Sequence, residues 1–207
     1  MISNNVLWKP HPGPQTYVLS VDDVYETLYG GSRGGGKSDA GIVWLLKHTD
    51  NPEFRGLVIR RNSIDLTDWI DRAARMYPKA KIAGQPPVIT FPSGAKIRTG
   101  HLQSENSFQR YQGHEYQRIL IEELTQIPEE TLYLKLISSC RSTIEGIKPQ
   151  VFCTTNPGNQ GHAWVKSRWK IGSREPNKAF KDPISGRYSF IESYMVTKSI
   201  LLNGENR

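Results

Sequence analysis

Residues 31–38 read Gly-Ser-Arg-Gly-Gly-Gly-Lys-Ser, which satisfies G-x-x-x-x-G-K-[ST] at every fixed position. Glycine lets consecutive backbone N–H groups turn inward and form a nest for phosphate oxygens. In this pattern Gly31, Ser32, Arg33, Gly34, Gly35 and Gly36 form the nest. Lys37 carries a positive charge to the β- and γ-phosphates, and Ser38 offers its hydroxyl to Mg²⁺. The helix expected to begin at Lys37 adds its N-terminal partial charge, which also favours an anion. The loop follows an apolar strand-like run and precedes a helix-like one, the setting the motif requires.

Two further segments complete a chemistry. "ILIEEL" (119–124) is an apolar run ending in two carboxylates. A phosphate-binding loop needs an acid at the end of a neighbouring strand to hold Mg²⁺ and its waters, and Glu122 is placed for that. The next carboxylate, Glu123, is placed to orient an attacking water or take its proton. "CTTNPG" (153–158) ends another apolar run with Thr154, Thr155 and Asn156. Polar groups there can sense a terminal phosphate and move a loop. The same letters also spell an Asn-Pro-Gly turn, a loop signal with no ligand.

The elements that must position these residues follow from periodicity. "VYETLYG" (24–30) reads as a short strand, and "KSDAGIVWLLKHTD" (37–50) as a helix ended by Asn51-Pro52. "FRGLVIRR" (54–61) is a second strand, and 63–78 is an amphipathic helix closed by Pro78. Residues 86–100 form two alternating runs around Pro92-Ser93-Gly94, a hairpin. Strand 116–124, helix 128–142 and strand 150–159 follow. The first twenty residues read as irregular, 173–187 as an exposed loop and 188–197 as a strand. This β-loop-α-β-α order predicts an α/β fold with a mostly parallel sheet flanked by helices.

Taken together, these residues resemble the ATPase domain of the large terminase subunit, the DNA-packaging motor of tailed bacteriophages. The resemblance runs over about residues 8–170. It rests on "WKPHPGPQ", "GSRGGGKS", "LVIRRNSIDL", "YQGHEYQRILIEELTQIPEET" and "CTTNPGNQGHAWVKSRW". It implies a P-loop NTPase of the additional-strand, RecA-like type that binds ATP and Mg²⁺. Gln15 matches the family's adenine-reading glutamine, and Arg33 within the loop is a terminase feature. The implied mechanism has Glu123 activate water for attack on the γ-phosphate. The 154–158 segment couples hydrolysis to movement of double-stranded DNA into a procapsid. Portal, procapsid and small terminase subunit are the implied partners, in the cytoplasm of the infected host. Each site in a homo-oligomeric ring is completed by a neighbour's arginine, although the isolated domain is compatible with a monomer. Arg141 is the candidate across the interface, and Arg33 the alternative within its own subunit. The family usually carries Asp-Glu where this chain has Glu122-Glu123. The expected organisation is one ATPase domain over 1–207, with 1–20 on the adenine side and 171–207 peripheral. A C-terminal nuclease domain and DNA cutting are not expected. A nucleotide-gated assembly module with little turnover and a helicase-like ATPase are the competing readings.

Bulk properties agree with this and exclude other classes. The 207 residues carry a net charge of +7, which favours an anionic partner without naming one. No apolar run approaches the ~20 residues of a membrane span. Cys140 and Cys153 lack metal-ligand spacing and read as buried, reduced residues. His101, His114 and His162 also lack ligand spacing. Trp164 with Lys166, Arg168 and Lys170 alternates aromatic and basic residues, read as a packed Trp beside solvated lysines rather than a DNA contact.

Overall fold

The computed structural model describes residues 7–31, 34–175, 177–181 and 187–192. Its sheet begins with β1 (Glu26–Tyr29), which leads through the glycine loop into α2 (Lys37–Trp44). A short helix precedes β1: α1 (Pro14–Ser20), with proline in its first turn, occupies part of the stretch expected to be irregular. β2 (Arg55–Arg60) is followed by a 3₁₀ turn and by α3 (Thr67–Met76). Next come β3 (Lys81–Ala83), β4 (Val88–Thr90) and β5 (Lys96–His101). The short α4 (Glu105–Phe108), β6 (Arg118–Ile121) and α5 (Glu130–Ile137) follow. β7 (Gln150–Thr154), α6 (His162–Arg168), β8 (Phe180–Lys181) and β9 (Tyr188–Glu192) close the described chain.

The strand order is β3-β4-β5-β2-β6-β7-β1-β9-β8. Every pairing from β5 across to β9 is parallel, and the antiparallel pairs lie at the two edges. The β4–β5 pair is the expected hairpin, and β3 adds an outer strand that the sequence reading lacked. β9 pairs with β1, so the strand expected at 188–197 joins the central sheet; residues 193–197 lie outside the described residues.

Alternation along each central strand feeds two cores. Leu28, Leu57, Ile59, Ile119, Ile121, Val151 and Cys153 face one side, with Tyr133, Leu136, Val165 and Trp169 from α5 and beyond. Tyr29, Val58, Leu120 and Phe152 face the other, with Ala40, Ile42, Trp69 and Ala73 from α2 and α3. Strands covered on both faces are apolar throughout, which is why they read as continuous runs.

Helix α2 is shorter than its pattern suggests. The Arg118 guanidinium donates to the Trp44 carbonyl and lies 4.3 Å from the Trp44 ring. Beyond that point the backbone tightens: Leu46 N–H bonds to Val43, and His48 has φ 74°. Arginine capping and a left-handed residue therefore end the helix well before Asn51-Pro52.

Candidate functional site

Parallel register brings three strand ends to one edge. Tyr29 lies opposite Thr154, and Cys153 opposite Ile121, so the segments beginning at Gly31, Thr155 and Glu122 emerge side by side. In open parallel sheets, ligands bind at the carboxyl ends of the strands.

The loop backbone is left-handed at Gly31 (φ 136°), Gly34 (φ 82°) and Gly36 (φ 66°), conformations that glycine adopts without a Cβ penalty. Two groups brace it. Gln15 donates to the Gly36 carbonyl at 2.8 Å, and the Tyr29 hydroxyl to the Gly35 carbonyl at 3.2 Å. The Gln15 carbonyl in turn accepts from the His11 N–H at 2.6 Å. Both ends of the Gln15 amide are thus committed to the loop and to its own segment. Ser32 and Arg33 lie outside the described residues.

Lys37 is buried, and its ammonium donates to the Gly31 carbonyl at 3.3 Å and to Asn156 Oδ1 at 2.9 Å. Burial lowers its pKa, while Glu123 and Glu122 pull it back up. Ser38 Oγ donates to Glu122 Oε2 at 2.8 Å. Glu122 is 1% exposed, and burial pushes its carboxyl up to about 6 against the Ser38 hydrogen bond and the Arg60 charge. Its second oxygen, Oε1, is buried with no hydrogen-bond partner among the described residues. Glu123 kinks away in the left-handed region (φ 56°), so the adjacent carboxylates diverge. Its N–H donates to Thr154 Oγ1 at 3.1 Å. Asn156 Nδ2 donates to both of its carboxylate oxygens, at 2.6 and 2.7 Å. Asn156 therefore bridges Lys37 and Glu123.

The structure thus gathers Gln15, Gly31, Gly34, Gly35, Gly36, Lys37, Ser38, Glu122, Glu123, Thr154 and Asn156 at one edge. Thr155 is buried, its hydroxyl donating to Thr125 Oγ1 at 3.2 Å rather than to a loop residue. Arg141 is not brought to this edge. It follows α5 rather than lying on it, and its N–H bonds to the Tyr116 carbonyl ahead of β6. Six residues of extended chain separate that point from Glu122, about 20 Å. Its guanidinium lies 3.8 Å from Glu115.

Sequence reasoning missed Arg60, whose Nη2 lies 3.9 Å from Glu122 Oε2 and whose Nη1 donates to the Asp65 carbonyl at 2.9 Å. Its position at the carboxyl end of an apolar strand was the available signal. Arg168, in the same basic stretch, is buried in an ion pair with Glu26 and Glu130, a role that the sequence reading did not assign it. Trp164 is packed as expected, donating to the Ile127 carbonyl and stacking near Tyr133.

The donor set fits Mg²⁺. A hydroxyl and a carboxylate touch, and that carboxylate keeps an orphaned buried oxygen, a cost that a cation would relieve. No group of three His, Cys, Asp or Glu suited to a metal occurs among the described residues. Mg²⁺ in such sites relies on one or two protein ligands plus substrate phosphates.

Strand order and site together define a P-loop NTPase of the additional-strand type, with β7 inserted between the loop strand and the acidic strand. Residues 28–185 match the family described as terminase large subunit, T4likevirus-type, N-terminal. The chain belongs to that family. Solved structures share the fold at low identity. The large terminase of a thermophilic bacteriophage superposes with a TM-score of 0.64 at 16% identity, over 93% of this chain and 50% of the other. The large terminase ATPase domain of Thermus phage P74-26 gives 0.54 at 16%, over 90% and 80%. The N-terminal domain of the bacteriophage phi29 DNA packaging ATPase gives 0.57 at 15%, over 87% and 94%. The chain spans about half the length of the first of these. No curated protein matches it.

Proposed function

We propose that this domain hydrolyses ATP with Mg²⁺ and powers the movement of double-stranded DNA into a phage procapsid. The observation that carries the reading is the convergence of Lys37, Ser38, Glu122 and Glu123 at the carboxyl ends of β1 and β6, bridged by Asn156 from the end of the β7 strand between them. The thermophilic-phage large terminase, whose fold is similar, is known in complexes with ADP and with ATP-γ-S, which supports nucleotide binding by this fold.

In this reading the loop N–H groups and Lys37 hold the β- and γ-phosphates, and the phosphate charge offsets the burial of the ammonium. Ser38 and Glu122 would hold Mg²⁺, which supplies charge neutralisation to the phosphates. Glu123 takes a proton from the attacking water. Asn156 links the phosphate-binding ammonium to the water-activating carboxylate. A change at either one therefore shifts the β7 end, which suits Thr154–Asn156 to coupling. Gln15 braces Gly36 and is the adenine-side group of this proposal.

An arginine added to the site can be worth ~10³–10⁵ in rate. Arg141 can serve only across an interface, with a ring neighbour presenting the opposite sheet edge; Arg33 is the candidate within the subunit. The matched bacteriophage phi29 viral genome packaging motor assembly supports action within a packaging motor; a homo-oligomeric ring with portal, procapsid and small-subunit partners belongs to the same proposal. Among the described residues no helix is long and apolar enough to cross a membrane, in keeping with action in the host cytoplasm.

The test is steady-state phosphate release with and without double-stranded DNA, over a range of protein concentrations, for the natural chain, Lys37→Ala and Glu123→Ala. DNA-stimulated turnover that both substitutions abolish is expected. A natural-chain rate no higher than that of Glu123→Ala, under ring-forming conditions, refutes the reading.

A further inference from the structure

A second cavity, of about 420 Å³, opens on the β5 side of the sheet. Four strand spacings separate β5 from β1, about 19 Å, so it is distinct from the glycine-loop edge. Its volume falls within the ~300–1,000 Å³ of small-molecule sites.

The cavity is built rather than incidental. Gly100 forms part of its lining, and a Cβ there would lie 2.2 Å from the Tyr111 hydroxyl, so the ring packs against β5 only because residue 100 is glycine. The Tyr111 hydroxyl is fixed on the His101 carbonyl at 2.8 Å. The Pro86–Val88 wall is tied to β5 by Thr99, whose hydroxyl donates to the Pro87 carbonyl at 2.7 Å. Tyr116 and the neighbouring His114 ring, 6.1 Å away, add a further aromatic wall.

Its polar lining has one sign. Arg98 and Arg110 are exposed and make no hydrogen bond or ion pair among the described residues. No carboxylate lines the cavity among the described residues. An aromatic-walled chamber whose lining includes two guanidinium groups and no carboxylate among the described residues selects a ligand with a flat apolar body and a phosphate. Guanidinium binds phosphate in bidentate fashion, and aromatic faces accept any base.

We propose that this cavity is a second, non-hydrolytic site for one nucleotide unit, its phosphate on Arg98 and Arg110 and its base against the aromatic wall. The unit comes either from a free mononucleotide or from the 5′-phosphorylated end of a DNA strand. The site does not depend on the glycine-loop reading.

Amide chemical-shift titration of the isotope-labelled protein separates the two edges. With 2′-deoxyadenosine 5′-monophosphate or a 5′-phosphorylated tetranucleotide as probe, shifts are expected at Gly84, Gly100 and His114, independently of any at Gly34–Gly36. Binding by the mononucleotide assigns the free source; binding by the tetranucleotide alone assigns the strand end. Arg98→Ala/Arg110→Ala, at exposed positions, should weaken that binding at least tenfold and leave basal ATP turnover unchanged. Arg98→Lys/Arg110→Lys should restore part of it. Absence of shifts at this cavity with both probes, or equal affinity in the double alanine variant, overturns the proposal.

Discussion

Replacing Arg168 by Met tests how the strand that feeds the glycine loop is anchored. Arg168 Nη2 lies 2.8 and 3.0 Å from the two Glu26 oxygens, and Nε 3.1 Å from Oε2. The Glu26 side chain is 0% exposed and that of Arg168 4%. Methionine preserves much of the packing but leaves Glu26 with the Tyr133 hydroxyl, at 2.6 Å, as its remaining strong donor. Removing one partner of such a buried pair costs about 3–5 kcal/mol, because a charge stays behind in a medium that cannot solvate it. For a domain of this size each kcal/mol lowers Tm by about 2–4 °C, giving a fall of roughly 6–20 °C. Urea and thermal unfolding followed by circular dichroism measure this. Glu26→Gln/Arg168→Met, which removes both charges, should recover much of the loss, as coupled neighbours do. A single-variant loss below about 1 kcal/mol, or a double variant no better than the single, would refute the argument that burial makes this pair matter.

Three other outcomes are expected. Gly36→Ala forces a side chain into φ 66° with its Cβ 2.6 Å from Gln15 Nε2. It should cost about 1–2 kcal/mol from the left-handed backbone alone. It should also weaken nucleotide binding measured by calorimetry, with Gln15→Ala relieving the steric part; additive losses would show that the two do not touch. Glu122, raised from 4.5 to about 6, holds a proton in the folded chain that the unfolded chain has already lost between those values. The stability this gives is fully present below about pH 4.5 and lost as pH rises through about 6, about 2 kcal/mol in all. In metal-free buffer Glu122→Gln should therefore gain on the natural chain as pH rises across that window, and parallel pH profiles would contradict this. Burial pushes the Cys140 thiol up to about 12 and raises Cys153 well above its usual value. Neither should react with a thiol reagent in folded protein near neutral pH, and both should react in denaturant; fast labelling of the native chain would show that one is accessible.

The chemistry of the site was legible wherever it depends on neighbours along the chain. The loop motif, the acidic pair and the Asn-Pro-Gly turn are local spacings, and β1, β2, β6 and β7 stand out because strands covered on both faces are continuously apolar. Periodicity, however, names a buried face and not what covers it. That β7 lies between β1 and β6, which lets Asn156 join Lys37 to Glu123, is a matter of parallel pairing between segments over a hundred residues apart. Parallel pairing likewise sets β9 against β1, and it brings Arg60 at the end of β2 beside Glu122 after β6. Arg168 and Lys166 are equivalent letters on a short basic helix, yet one is sealed against Glu26, 142 positions away, and the other faces solvent. Arg141, the candidate for completing a neighbour's site, is carried by α5 back to the start of β6, a placement that its position after the acidic pair does not show. Local spacing sets which groups are available. Only long-range packing, where burial multiplies the effect of each contact, decides which of them meet.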